Sequence, residues 1–185
     1  MVIKDKLSGF YKRRELNLNH FPEEIFNKSQ KDELRYFIDK HTAEYFAIRS
    51  IDVIDYKSKI NKIKVLRNDV DCEIENHNTY SISVSSHNYI ENLILTGDIR
   101  IGINNEVWLL ASRKEYPKVS SSPPEYNLST DIFDKKLNEV PAFDVIFKYI
   151  VDNGLIDVIV EFAIYDKNVG INNEQVVVFE IRTDF

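Results

Sequence analysis

The last thirty residues of the chain constrain its fold most strongly. Residues 156–165 and 175–182 are rich in β-branched side chains with charged residues spaced among them, a composition that predicts two β-strands. Residues 166–174 between them contain Gly170 and several asparagines, which tolerate the positive φ angles of a hairpin loop. The sequence therefore predicts an antiparallel hairpin in this region.

The alternation of apolar residues predicts how the two strands pair. Residues opposite each other in an antiparallel ladder point to the same face of the sheet. The apolar face of the first strand comprises Val158, Val160, Phe162 and Ile164. The predicted apolar face of the second strand comprises Val177, Phe179 and Ile181. If these faces coincide, the opposite face carries Asp157, Glu161, Glu180 and Arg182.

Two registers of this charged hairpin stay open. With Glu161 opposite Glu180, two carboxylates lie about 5 Å apart, which is destabilising unless a cation intervenes. Because Mg²⁺ takes carboxylate oxygens and substrate phosphates, such a pair beside Arg182 could hold a metal–phosphate group. A shift by two residues instead places Glu161 opposite Arg182 as a cross-strand salt bridge, and the greater frequency of such ion pairs favours this second register.

Composition narrows the class of protein. A chain of 185 residues with 43% hydrophobic and 29% charged residues predicts a single soluble globular domain spanning residues 1–185. Its net charge of −6 argues against a nucleic-acid binder, and the one basic cluster, Lys12 to Arg14, is too short to reverse that. The single cysteine, Cys72, excludes an intrachain disulfide and a cysteine-only metal site.

The lengths of the apolar segments predict where the protein is located. No apolar run approaches the ~20 residues of a membrane-spanning helix, and the first residues lack the hydrophobic core of a signal peptide. We therefore expect a cytoplasmic protein that does not bind membranes.

The remaining segments predict the fold class. Residues 22–41 and 131–153 form two helical blocks, the first with Pro22 at a favourable first position and the second ended by Gly154. His41, on the apolar stripe of the first block, is predicted to pack rather than to bind a ligand. Strands are predicted at 45–51, 60–66 and 80–85, and a hairpin at 97–103 with 106–111. Residues 118–129 predict a surface loop or a flap over a site. This distribution predicts an α+β fold with a mostly antiparallel sheet.

Three short segments together suggest a family. Residues 46–50 resemble the Arg-Ser strand of the ATP-grasp nucleotide-binding domains of phosphoenolpyruvate synthases and pyruvate phosphate dikinases. Residues 157–163 and 178–182 resemble the paired terminal strands of the same domains, where acidic or amide residues hold Mg²⁺ and an arginine lies near the phosphates. The resemblance implies Mg²⁺ and ATP as cofactors, with phosphate bound by Arg49, Ser50 and Arg182 and the metal by Asp157, Glu161 and Glu180.

A second hypothesis assigns no chemistry to these residues. The sequence shows no complete catalytic constellation of Ser, His, Cys and carboxylates and no Gly-x-Ser-x-Gly segment. The alternative is therefore a non-enzymatic interaction or accessory module that binds a protein partner or self-associates as a homo-oligomer. A hydrolase whose His and carboxylates meet only in the fold also stays open.

Overall fold

The structure is a computed structural model that describes residues 6–51, 61–74, 78–113 and 123–183. The helices in these ranges are α1 Lys6–Glu15, α2 Lys31–Lys40, α3 Val70–Ile74 and α4 Phe143–Asp152. The strands are β1 Glu23–Asn27, β2 Tyr45–Ser50, β3 Asn61–Leu66, β4 Thr79–Val84, β5 Leu93–Ile101, β6 Glu106–Ser112, β7 Tyr126–Asp131, β8 Ile159–Val169 and β9 Glu174–Arg182. The strand pairs within these ranges are all antiparallel, which confirms the predicted α+β class.

The chain divides into two compact units. The terminal unit comprises Met1–His20 with Glu91–Phe185, and the internal unit comprises Phe21–Ile90. Compactness does not measure cooperative unfolding, so the expectation of a single domain stays a prediction. No helix within the described ranges is long and apolar enough to cross a membrane.

The internal unit is a four-stranded sheet in the order β1-β4-β2-β3. One face of the sheet is apolar, and the buried side chains of α2 contact it through aromatic pairs. The ring of Phe37 lies 5.7 Å from that of Phe26 and 6.4 Å from that of Phe46. His41 lies half-buried with its ring 4.7 Å from that of Phe37, the packing role predicted for it.

The first predicted helical block is partly wrong. Residues 23–27 form the strand β1, which pairs with β4 from Glu23 opposite Ser83 to Asn27 opposite Thr79. The side chain of Asn27 accepts a hydrogen bond from the backbone N–H of Ser29 at 3.0 Å and so turns the chain before α2 begins. Five residues are too few for their apolar spacing to distinguish a strand from a helix.

The terminal unit is a five-stranded sheet in the order β7-β6-β5-β8-β9. Its apolar face packs against α4 through Ile146 and Ile150, and contributes Leu95, Ile99, Ile101, Val107, Leu109, Val160, Phe162 and Ile164 to the core. The predicted hairpin of β5 and β6 is confirmed: its turn has Asn105 at a φ of 65°, and Gly102 N–H donates to the Glu106 carbonyl at 2.8 Å.

The second helical block and the predicted loop also need correction. Asp131 ends β7, residues Lys135–Glu139 form a short 3-10 helix, and regular helix begins only at Phe143. Gly154, at a φ of 64°, ends α4 as predicted. Of the predicted loop at 118–129, residues 118–122 lie outside the described ranges, and residues 126–129 belong to β7. Alternate side chains of β7 are exposed, so the strand lacks the apolar signal on which sequence patterns depend.

Candidate functional site

The structure selects one of the two registers for the terminal hairpin. Glu161 of β8 lies directly opposite Glu180 of β9, and Ile159 lies opposite Arg182. The second register, in which Glu161 faces Arg182, is therefore wrong. Glu161 and Glu180 are both half-buried.

A β-bulge in β9 produces this register. Val176, Val178 and Ile181 all belong to the apolar core, although Val178 and Ile181 are separated by an odd number of positions. The pairing shifts between Phe162 opposite Val178 and Glu161 opposite Glu180, so Phe179 is the extra residue. The predicted apolar face of Val177, Phe179 and Ile181 is therefore wrong. Val176 and Val178 belong to the apolar core in place of Val177 and Phe179, and Ile181 belongs to it as predicted. The bulge restores Glu180 and Arg182 to the other face.

A third carboxylate extends the glutamate pair into a row. Asp98 of β5 lies opposite Glu161, so Asp98, Glu161 and Glu180 occupy one line across three strands. Asp98 is only 8% exposed, and its Oδ1 lies 3.1 Å from Nη2 of Arg182. Sequence analysis missed Asp98 as a site residue. The sequence feature that could have indicated it is the occurrence of two charged residues, Asp98 and Arg100, at alternate positions of a mainly apolar strand.

The adjacent row carries two arginines. Arg100 of β5 and Arg182 of β9 both lie opposite Ile159 of β8, one on each side. Arg100 Nη2 lies 3.1 Å from Oδ1 of Asp157, a residue that precedes β8 and has a φ of 58°. We call the side of the sheet that carries Asp98, Arg100, Glu161, Glu180 and Arg182 the charged face.

The two arginines also border a cleft of about 760 Å³. Its lining combines guanidinium and hydroxyl groups with an indole ring and one carboxylate, and comprises Arg100, Glu106, Val107, Trp108, Ser129, Thr130 and Arg182. Guanidinium groups bind phosphate oxygens in bidentate fashion, and hydroxyl groups donate further hydrogen bonds. Such a lining suits a phosphate ester that also carries an apolar or aromatic part. The glutamate pair lies one row along the sheet, about 7 Å from Arg182 measured along β9.

Mg²⁺ chemistry fits the glutamate pair better than it fits the full set of predicted ligands. Among the described residues, no group of three or more His, Cys, Asp or Glu side chains is arranged to hold a metal ion. Asp98 and Glu180 are separated by two strand spacings, about 9.5 Å, and Asp157 is ion-paired with Arg100. Mg²⁺ is usually bound by one or two carboxylates together with substrate phosphates. Glu161 and Glu180 can supply the two carboxylates. Their role as metal ligands stays a prediction.

Arg49 and Ser50, the other predicted phosphate ligands, lie in β2 of the internal unit. Ser50 lies opposite Tyr80 and is buried at 4% exposure on the same side of the strand as Ile48. Arg49 is half-buried and lies opposite Ser81, so it points the other way. The two side chains therefore lie on opposite faces of the sheet, and the phosphate roles predicted for Arg49 and Ser50 both stay predictions.

Comparison with solved structures shows that the fold is ATP-grasp-like. D-cycloserine synthetase DcsG has a TM-score of 0.52 at 13% identity, covering 97% of this chain and 61% of that one. The macrocyclase MdnC bound with precursor peptide MdnA from Microcystis aeruginosa MRC has a TM-score of 0.53 at 12% identity, covering 95% and 51%. The ADP complex of PurK, N5-carboxyaminoimidazole ribonucleotide synthetase, has a TM-score of 0.53 at 8% identity, covering 98% and 45%.

These likenesses concern the fold alone, because the identities are low. The chain spans between 45% and 61% of the length of those three structures. No family model matches the chain, and no curated protein matches it. The resemblance seen in three short segments is thus confirmed at the level of an ATP-grasp-like fold.

Proposed function

We propose that the terminal unit binds a phosphate-containing ligand, a nucleotide together with Mg²⁺, on its charged face. The observation that carries the proposal is the placement of Arg100 and Arg182 in one row beside a cleft, next to a row of three carboxylates. The ATP-grasp-like fold supports a nucleotide, since PurK was solved as an ADP complex.

The order of the charges favours a ligand site over a ladder of ion pairs. A sheet face that serves stability places opposite charges opposite each other, and like charges in that position are destabilising. Here Glu161 lies between Asp98 on one side and Glu180 on the other. Asp98 is paired with Arg182 at 3.1 Å, and a cation bound between Glu161 and Glu180 would offset the repulsion between the other two carboxylates of the row.

The residues divide into two roles. Arg100 and Arg182 bind phosphate oxygens, and Asp157 orients Arg100 through their ion pair. Glu161 and Glu180 hold Mg²⁺, which supplies charge neutralisation for the phosphates when it is bound. The phosphate roles that the family resemblance implies for Arg49 and Ser50, which lie in the internal unit, are separate from this scheme and stay predictions.

The narrower kinship with phosphoenolpyruvate synthases and pyruvate phosphate dikinases rests on the short strand segments alone. The solved structures described above are synthetases and a macrocyclase. The type of ATP-grasp protein therefore stays a prediction from the sequence.

Titration calorimetry tests the proposal with ATP plus Mg²⁺, ATP plus EDTA, and inorganic phosphate as separate probes. We expect the wild-type chain to bind ATP with Mg²⁺, and Arg182→Ala to weaken that binding at least tenfold. Arg113→Ala is the matched control, because Arg113 belongs to the same unit, pairs with Glu125 at 2.9 Å and is not part of the cleft lining. Full affinity in Arg182→Ala would contradict the proposal.

The alternative of a non-enzymatic interaction or accessory module is not better supported by the fold. It becomes the preferred explanation if the wild-type chain binds none of the three probes. The charged face would then be a structural array of ion pairs, and the search would turn to protein partners or to self-association.

A further inference from the structure

The bulge that orients Glu180 is held from outside the sheet. Arg13 of α1 donates from Nη1 to the carbonyl of Val178 at 3.2 Å and also to the carbonyl of Phe179. These are the two consecutive carbonyls at which the ladder between β8 and β9 shifts. The backbone N–H of Val178 donates to the Asn19 carbonyl at 2.8 Å, so the segment after α1 contacts the same point of β9.

Arg13 is an unusual residue in this position because it is only 4% exposed. Burying a guanidinium group costs free energy unless acceptors replace its water. A side chain intended only to cover the edge of β9 could be apolar. A buried cation that binds both carbonyls of a bulge therefore stabilises the bulge at that position of the strand.

The position of the bulge decides whether the glutamates meet. Val178 and Ile181 both face the core, so either Phe179 or Glu180 must be the extra residue between them. With Phe179 extra, as observed, Glu180 lies opposite Glu161. With Glu180 extra, Phe179 would lie opposite Glu161. Both arrangements keep Val178 and Ile181 in the core and Arg182 opposite Ile159, so the positions of these residues do not choose between them.

We infer that Arg13 is a positioning residue for the metal-binding half of the charged face. By binding the carbonyls of Val178 and Phe179, it selects the bulge that brings Glu180 opposite Glu161. Arg13 acts through β9 and does not itself contact the ligand. The inference rests on the proposed function for its consequence in binding, but the register itself can be measured without any ligand.

Cross-strand disulfides report the register directly. Opposed residues in an antiparallel pair have Cα atoms about 4.5–5.5 Å apart, within the range that a disulfide bridges. In a Cys72→Ser background, Glu161→Cys with Glu180→Cys reports the observed bulge, and Glu161→Cys with Phe179→Cys reports the other one. We expect the first pair to oxidise preferentially when Arg13 is present. In Arg13→Met we expect that preference to fall at least fivefold.

Two further variants separate positioning from general stability. Arg14→Met removes the same charge from the same helix and is expected to leave the disulfide preference as it is. Arg13→Lys keeps a cation that can reach a carbonyl and is expected to restore part of the preference. An unchanged disulfide preference in Arg13→Met, in chains shown to be folded by circular dichroism, would overturn the inference.

Ligand binding provides the second readout, in chains with intact glutamates. Arg13→Met is expected to lose most of the increase in ATP affinity that Mg²⁺ confers, while the affinity measured in EDTA stays within twofold of wild type. A purely structural role would lower both affinities equally, and that outcome would count against positioning. If the wild-type chain binds no ATP but the disulfide preference shifts as expected, the proposed function fails and the positioning role of Arg13 stands.

Discussion

The two sheets of this protein bury their apolar faces in similar ways but differ in what the opposite face carries. In the internal unit, small residues such as Ala47, Ser81 and Ser83 lie beside Arg49 on that face. In the terminal unit, the charged face brings together three carboxylates and two arginines. Arg35 and Asp71, an ion pair of the internal unit at 3.4 Å, lie instead at exposed positions on α2 and α3.

In the internal unit Arg49 lies opposite Ser81 and Glu23 lies opposite Ser83, so these charges do not face like charges across the strands. Exposed ion pairs contribute little to stability, and the internal unit folds with pairs of that kind. Adjacent like charges reduce stability, so the row in the terminal unit has another explanation. The proposed nucleotide–Mg²⁺ site would supply that explanation.

Each unit also uses one asparagine to fasten its strands. Asn19 Nδ2 donates to the carbonyls of Val169 and Val176 at 2.9 and 2.7 Å, and its Oδ1 accepts from Asn172 N–H at 3.0 Å. Asn88 makes three comparable bonds to the backbone of Glu44 and Tyr45, and its Nδ2 also donates to the carbonyl of Ser85. Asn19 is fully buried and Asn88 is half-buried, so we expect the loss of stability on replacing Asn19 to be the larger.

The largest effect is expected from Asn19→Ala. It leaves several buried backbone groups without their hydrogen bonds, and we expect the free energy of unfolding to fall by about 3 kcal/mol. Asn88→Ala is the matched variant, with a loss of about 1 kcal/mol because water can reach the half-buried groups. Urea denaturation measures both. Equal losses would show that burial does not distinguish the two asparagines.

A smaller effect is expected from Tyr149→Phe. The hydroxyl of Tyr149 accepts a hydrogen bond from the backbone N–H of Asn19 at 2.9 Å. Its removal leaves that N–H unsatisfied, and we expect a loss of about 1 kcal/mol by urea denaturation. A loss similar to that of Asn19→Ala would mean that this one bond accounts for the whole contribution of the asparagine.

The same tyrosine gives a signature at high pH. Burial raises the pKa of Tyr149 to about 12, so the unfolded chain releases the phenol proton first. The stability that Tyr149 contributes is complete below pH 10 and is lost as the pH rises towards 12. We expect Tyr149→Phe to show a shallower fall in unfolding free energy over that window. Identical slopes for the two chains would contradict this account.

Glu180→Gln sharpens the comparison of the two faces. In the absence of ligand it removes one of two opposed negative charges, and we expect a gain of about 0.5 kcal/mol in unfolding free energy. Glu139→Gln, an exposed position in the same unit, is the control and is expected to change little. A loss of stability in Glu180→Gln would mean that the carboxylate serves the fold.

The smallest effect is expected from His41 in the internal unit. Burial lowers the pKa of His41 and Lys40 lowers it further, while Glu24 opposes the shift. Because the folded chain binds this proton less readily, the free energy of unfolding falls as the pH decreases through 6.5 and below. We expect His41→Gln to reduce that fall between pH 7.5 and 5.5. An equally steep fall in the variant would assign it to other groups.

The sequence predicted best those parts of the fold that local patterns determine. The terminal hairpin and the turn at Asn105 follow from alternation and residue type. The bulge at Phe179 was not predicted, because one extra apolar residue in an apolar strand cannot be recognised from the alternation of residue types. Asp98 joins Glu161 through a pairing between strands distant in sequence, which a single sequence does not specify. The strands β1 and β7 were missed because one is short and the other mainly polar.

Thermal unfolding of the wild-type chain and of Glu180→Gln, each with and without ATP and Mg²⁺, tests the central claim most directly. At about 100 times the dissociation constant, a ligand that binds only the folded chain adds about 2.7 kcal/mol of stability. We expect the wild-type midpoint to rise and the rise to be largely lost in Glu180→Gln. A wild-type midpoint that does not move, or an equal rise in both chains, would contradict a nucleotide–Mg²⁺ site on the charged face.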